Sequence, residues 1–163
     1  MAQEADIAAW FAARIPEGWF DGPSEVSVDG DEIVVVGRLA DPDGTDAGAQ
    51  EGRIARFREE TREQRVRIAE DGQRRFRRKV SWGAIAGATR QTFTTLSMPV
   101  MTRLRQPERQ VLDTLIAAGV ARSRSEALNW CVRLVAGRQA EWLADLKSAL
   151  QGVEKARAKG PTP

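Results

Sequence analysis

Apolar residues recur at helical spacing near the start of the chain, at Ile7, Trp10, Phe11 and Ile15. This predicts a short amphipathic helix that stops before Pro16. Residues 16–23 are turn-rich and present Trp19 and Phe20. Two runs of strand character follow, residues 25–28 and 32–39, on either side of Asp29-Gly30-Asp31. Asp and Gly both tolerate positive φ, so the pattern predicts a β-hairpin. The unbroken apolar run from Ile33 to Val36 predicts a strand buried on both faces. Residues 41–52 are acidic and rich in Gly and Ala, and read as a flexible linker. Residues 53–71 suit one long helix whose apolar positions, Ile54, Phe57, Val66 and Ile68, are sparse. Such a helix is mostly solvated or pairs with a partner, and Gly72 is its expected end. Residues 76–96 read as extended, with Val80, Trp82, Ile85, Phe93 and Leu96 in a Thr- and Gly-containing context.

The C-terminal part is better defined. Val100, Thr102 and Leu104 alternate with Met101, Arg103 and Arg105, as on a strand with one apolar and one charged face. Gln106-Pro107 opens a helix with proline where its missing N–H costs least. Val111, Leu112, Leu115 and Ile116 form its stripe, and Gly119 stands where a left-handed terminator belongs, with Val120 placed for the contact that follows. Ser123-Arg124-Ser125-Glu126 fits a capping box at the start of a second helix. Its expected buried face is Ala127, Leu128, Cys131, Leu134 and Val135. Beyond Gly137, Trp142, Leu143, Leu146, Leu150 and Val153 continue at helical spacing to about residue 158, before a Lys-Gly-Pro-Thr-Pro tail.

Strand, helix, glycine turn, capped helix: residues 99–137 resemble the ribbon-helix-helix repressors of the Arc/MetJ/CopG type. The resemblance covers about 40 of 163 residues. It implies that two chains pair their strands into an antiparallel ribbon that enters the major groove. Carried across by position, it implies that Met101, Arg103 and Arg105 read base edges, arginine being matched to the two acceptors of guanine. It further implies that Val100, Thr102 and Leu104 face the core, and that the N–H groups near Ser123, Arg124 and Ser125 meet a phosphate at the positive end of the helix dipole. A rival strand exists in residues 92–97 (TFTTLS), which would put Thr92 and Thr94 or their neighbours in the groove.

Composition narrows the chemistry. The chain has no histidine and one cysteine. This removes Ser-His-Asp, Cys-His and His-metal arrangements and any multi-thiolate zinc site, so neither a cofactor, a metal nor an enzyme is expected. Cys131 lies in an apolar stripe and reads as a small core residue. The carboxylates Asp29, Asp31 and Glu32 sit in a hairpin turn and read as solvated. Net charge is +2 at neutral pH, but residues 1–50 carry −9, residues 51–110 carry +8 and residues 111–163 carry +3. Such segregation points to a polyanion partner or to one segment neutralising another. The run Arg74, Arg75, Arg77, Arg78 and Lys79 is a candidate phosphate-binding patch, or a solvated face. The long membrane-spanning and secretory patterns are missing from the sequence, which predicts a cytoplasmic protein without membrane association.

The expected fold is α+β: an N-terminal helix, hairpin and long linking helix with short strands over 1–98, a ribbon-helix-helix module over 99–137, and an amphipathic helix and tail over 138–163. The leading functional expectation is a homodimeric transcription regulator bound to double-stranded DNA. The alternative is an interaction adaptor or antitoxin-like protein that uses the module mainly to dimerise and binds a protein partner through its acidic N-terminal region.

Overall fold

A computed structural model describes residues 4–40 and 46–159. Part of the expected linker, 41–45, and the tail residues 160–163 lie outside the described residues. The chain divides into two units, Met1–Pro99 and Val100–Pro163.

The first unit is α+β. Helix α1 (Glu4–Ala12) is followed by β1 (Glu25–Val28) and β2 (Glu32–Arg38), then α2 (Ala47–Glu60), α3 (Arg62–Phe76), β3 (Lys79–Ala86) and β4 (Thr89–Thr92). The strands form one sheet in the order β1-β2-β3-β4. β1 and β2 are the expected antiparallel hairpin, with Glu25 opposite Val36. Asp29 closes the turn: its Oδ1 accepts from the backbone N–H of Asp31 at 2.8 Å and of Glu32 at 2.7 Å. β2 pairs in parallel with β3, Val35 opposite Trp82, so α2 and α3 form the crossover between them. β3 then turns antiparallel into β4.

Burial on both faces, expected for Ile33 to Val36, holds for the central strand: Ile33, Val35 and Val36 are buried and Val34 is half-buried. Ile7 and Phe11 of α1 pack with Ile33, Val35 and Trp82. Ile54 and Phe57 of α2 pack with Leu39, Ala84 and Ala86. Side chains two apart share a sheet face, so both clusters lie on the same side of the sheet. Gly37, also on that side, accommodates the ring of Phe20; a Cβ there would lie 2.1 Å from its Cγ.

The expected single helix over 53–71 is two helices that together run further in both directions. Thr61 stands between them with φ −100° and ψ 3°, its N–H still donating to the Phe57 carbonyl at 3.1 Å and its carbonyl accepting from the Arg65 N–H at 2.9 Å. Its hydroxyl donates to the Phe57 carbonyl at 2.6 Å and accepts from Arg65 Nε at 2.9 Å. The buried Arg65 guanidinium also donates to the Arg58 carbonyl at 2.6 Å and lies 4.8 Å from the ring centroid of Phe93. A residue with no apolar signature thus fixes the junction of α2 and α3. Burial, its largest influence, lowers the Arg65 pKa.

Gly72 does not end α3. It is buried within the helix, and a Cβ there would lie 3.1 Å from Phe11 Cζ, so glycine serves close packing. The terminator is Arg77, a non-glycine residue at φ 57° and ψ 33° whose N–H donates to the Gln73 carbonyl at 2.9 Å. α2 begins at Ala47 inside the expected linker, because Asp46 Oδ1 caps the N–H of Ala49 at 2.9 Å.

The second unit holds α4 (Gln106–Ala117), α5 (Arg124–Arg138) and α6 (Ala140–Ala158). Its buried residues are Leu112, Ala121 and Ala127, with Leu104, Leu115, Ile116, Leu128 and Cys131 packed against them. Val111 and Val135, expected in the buried stripes, are exposed at 55% and 49%. No described helix is long and apolar enough to cross a membrane.

Candidate nucleic-acid interface

Residues 100–105 carry neither helix nor strand in the single chain. Met101 is 96% exposed and Val100 85% exposed, and Thr102, Arg103 and Arg105 are exposed as well. The inward placement expected for Val100 and Thr102 is therefore not met within one chain; only Leu104 packs on the small core. Arg105 has extended backbone, φ −80° and ψ 176°. Arg109 anchors the segment's end by donating to the Leu104 carbonyl at 2.8 Å. No ion pair engages Arg103 or Arg105 among the described residues.

The rival segment is committed elsewhere. Thr92 ends β4, the Phe93 N–H donates to the Trp82 carbonyl at 2.7 Å, and the Leu96 N–H donates to Glu32 Oε1 at 3.1 Å. Glu32, which also accepts from the Ser81 hydroxyl, is thereby half-buried and structural rather than solvated. Asp29 also has a structural role; the two backbone donors hold its carboxyl below the usual range, with a lesser contribution from Arg78.

The two-helix part is closed by its local chemistry. Gly119 is left-handed at φ 74°. Its N–H donates to the Ile116 carbonyl at 3.0 Å and that of Val120 to the Leu115 carbonyl at 3.0 Å, the paired bonds of a Schellman motif. Val120 itself stays 44% exposed. Ser123 Oγ accepts from the Glu126 N–H at 3.2 Å. The Glu126 carboxylate reaches back one residue beyond the serine expected of a capping box and accepts from the Arg122 N–H at 2.8 Å. This bond is the main reason its pKa is lowered.

These bonds use the N–H of Glu126, and the N–H of Ala127 donates to the Ser123 carbonyl. Those of Arg124 and Ser125 precede the intrahelical ladder and remain the helix-start donors. The Arg124 guanidinium is not directed to them. It grips Asp113 of α4 through two parallel bonds of 2.7 and 2.8 Å. The hydrogen bond lowers the Asp113 pKa and raises that of Arg124. Arg124 therefore ties α5 to α4, a role that sequence spacing gave no sign of, since the pair is eleven residues apart.

The basic run lies in the first unit, at the end of α3 and the start of β3. Arg74, Arg77, Arg78 and Lys79 line an open cleft of about 480 Å³. Its other walls include Gly30 and Asp31 of the hairpin turn, Gln73, Leu96 and Met98. Arg75 is outside this lining, its guanidinium 5.6 Å from the ring centroid of Phe76. Arg74 pairs with Asp71. Arg78 Nε is buried and has no hydrogen-bond partner. Cations at a helix C-terminus are favoured by its dipole, which accounts locally for Arg74 and Arg75 but not for a buried, unpartnered Arg78 nitrogen. The apolar lining of Leu96 and Met98 was not foreseen, because it comes from a distant stretch of the chain; Gln73 is the neighbour of Arg74.

Among the described residues no group of three or more Cys, Asp or Glu side chains is placed to hold a metal ion.

Residues 5–92 match the Rv1265-like protein N-terminal domain, and residues 105–157 match the Mb1296 C-terminal domain. The chain belongs to the Rv1265-like family. It is 53% identical over 166 aligned positions to the uncharacterized protein Mb1296 of Mycobacterium bovis, covering 98% of this chain and 74% of that protein. The same identity and coverage hold for the uncharacterized protein Rv1265 of Mycobacterium tuberculosis. No solved structure matches the chain significantly. The two matched domains of this Rv1265-like chain fall on either side of the division between its units.

Proposed function

We propose that this Rv1265-like chain is a cytoplasmic, homodimeric DNA-binding transcription regulator with a C-terminal ribbon-helix-helix module. The observation that carries this reading is the segment 100–105: outside any sheet, exposed except at Leu104, and joined directly to two helices with a Schellman turn and a serine cap between them. A backbone with free ladder groups and alternating apolar and charged side chains suits pairing with the same segment of a second copy. Pairing would give Val100 and Thr102 the cover they lack in one chain and leave Met101, Arg103 and Arg105 for the major groove. Phosphates would be met by the N–H groups of Arg124 and Ser125, with Ser123 holding the helix start in place. The cleft cations Arg74, Arg77, Arg78 and Lys79 would add sequence-independent phosphate affinity.

The test is a fluorescence-anisotropy salt series on DNA from the gene's own promoter against a scrambled duplex. Arg103→Ala with Arg105→Ala abolishes the preference for the promoter while the dimer and its melting temperature are unchanged, since both side chains are exposed. Retained preference in the double variant refutes the ribbon. A dimer that binds no duplex at any salt concentration marks the module as a dimerisation element of an adaptor or antitoxin-like protein.

A further inference from the structure

Thirteen large apolar side chains are exposed among the described residues, and all but Val66 and Met98 belong to the second unit. The most concentrated share is on α6. Every described side chain of this 19-residue helix is exposed. Leu143, Leu146, Leu150 and Val153 follow a three-four-three spacing, flanked by Trp142. That spacing is the narrow seam of a coiled coil rather than the broad face of a helix lying on a core. Helices in proteins take most of their stability from packing an apolar face, so a 19-residue helix exposed along its described length calls for a partner surface.

We propose that α6 pairs antiparallel with α6 of a second copy, forming a dimer seam outside the ribbon-helix-helix module. The first unit is a poor occupant, because among its described residues the large apolar groups exposed are Val66 and Met98 alone. A second copy presents the matching stripe. Charge selects the direction. Residues 140–146 carry a net charge of −2 and residues 153–159 a net +2, so antiparallel pairing sets opposite ends together and parallel pairing stacks like on like. The helix dipoles agree with this choice. Leu143 then faces Val153 of the other copy, and Leu146 faces Leu150.

The seam does not depend on DNA binding, so its test needs none. In full-length chain carrying Cys131→Ser, Leu143→Cys and Val153→Cys are introduced separately, and the two purified proteins are mixed in a glutathione redox buffer. Antiparallel pairing predicts that the mixed disulfide predominates. Two Leu143→Cys chains would have their cysteines about 15 Å apart along the seam, beyond disulfide reach. Disulfides between like variants at equal or greater yield, or no cross-link at all, overturn the proposal. Independently, Leu146→Lys with Leu150→Lys raises the dimer dissociation constant in sedimentation by about tenfold or more, corresponding to at least one lost seam contact. An unchanged constant overturns it as well. Retained promoter preference in the ribbon variants with the cross-link intact would refute the DNA reading alone.

Discussion

Arg77→Gly separates two roles of one residue. Arg77 ends α3 at φ 57° and ψ 33°, where a side chain costs about 1–2 kcal/mol. Glycine removes that cost but gives back about 0.5–1 kcal/mol through the greater freedom of the unfolded chain. The terminating N–H bond to Gln73 survives, and the side chain is exposed, so little packing is lost. The net gain is about 0.5–1 kcal/mol. Urea unfolding followed by tryptophan fluorescence should shift its midpoint upward by about 0.3–0.7 M. The same substitution removes a cleft cation, so the slope of log affinity for DNA against log salt falls by about 0.9 if Arg77 meets one phosphate. Arg77→Ala is the control: it removes the charge and keeps the strained backbone, so the slope falls without a stability gain. A destabilised Arg77→Gly protein refutes the strain. An unchanged salt slope in both variants refutes the phosphate contact. Non-glycine residues held in this region cluster at functional sites, and the arginine retained here fits a charge kept at the expense of stability.

Gly37→Ala sets a Cβ 2.1 Å from the Phe20 ring carbon and should cost about 1–3 kcal/mol in urea unfolding. In a Phe20→Ala background the cost largely disappears, and strictly additive effects would contradict the contact. Ser123→Ala removes the acceptor of the Glu126 N–H and should lower the stability of the second unit by about 1 kcal/mol, read as an earlier loss of helical circular dichroism. An identical melt would show that the cap contributes nothing. Asp29, Asp113 and Glu126 all have lowered pKa values, so the folded state resists their protonation. Their contribution is present above the ordinary carboxylate range and is lost as pH falls below about 4. With no histidine in the chain, melting temperature at fixed protein concentration should be flat from pH 8 to 6 and fall in acid. The reverse pattern would contradict the assignment.

The elements that announced themselves were those whose signals are local. The Asp29-Gly30 hairpin, the proline start of α4, the Gly119 stop and the Ser123 cap each involve neighbours in sequence, and each appears at its expected place. The errors arose where distant partners decide. Gly72 looks like a helix stop until Phe11 is seen against it. Thr61 looks unremarkable in a helical stretch until Arg65, which its hydroxyl engages, is seen over the distant ring of Phe93. The parallel pairing of β2 with β3 has no local signature at all. In the candidate interface, Met101, Arg103 and Arg105 are exposed but so are Val100 and Thr102, so the alternation read from the sequence is absent from one chain, and the tie between Arg124 and Asp113 had no local signal. Four of the five cations of the basic run share one cleft with the adjacent Gln73, but the other groups that complete it come from two distant stretches, Gly30-Asp31 and Leu96 with Met98.

The second unit leaves two deficits in a single chain, a segment at 100–105 outside any sheet and an apolar surface concentrated on α6. A DNA groove offers polar edges and phosphates, so it can relieve neither the apolar exposure nor the bulk of the missing ladder bonds. The proposed reading therefore has protein cover both before nucleic acid is engaged. On the proposed reading, dimerisation and DNA binding are then linked: the monomer carries half a ribbon, and binding is second order in chain at concentrations below the dimer dissociation constant. The α6 seam lowers that constant without touching the groove. Its removal should weaken DNA binding in dilute protein and leave it unchanged once the chain is concentrated enough to dimerise through the ribbon alone.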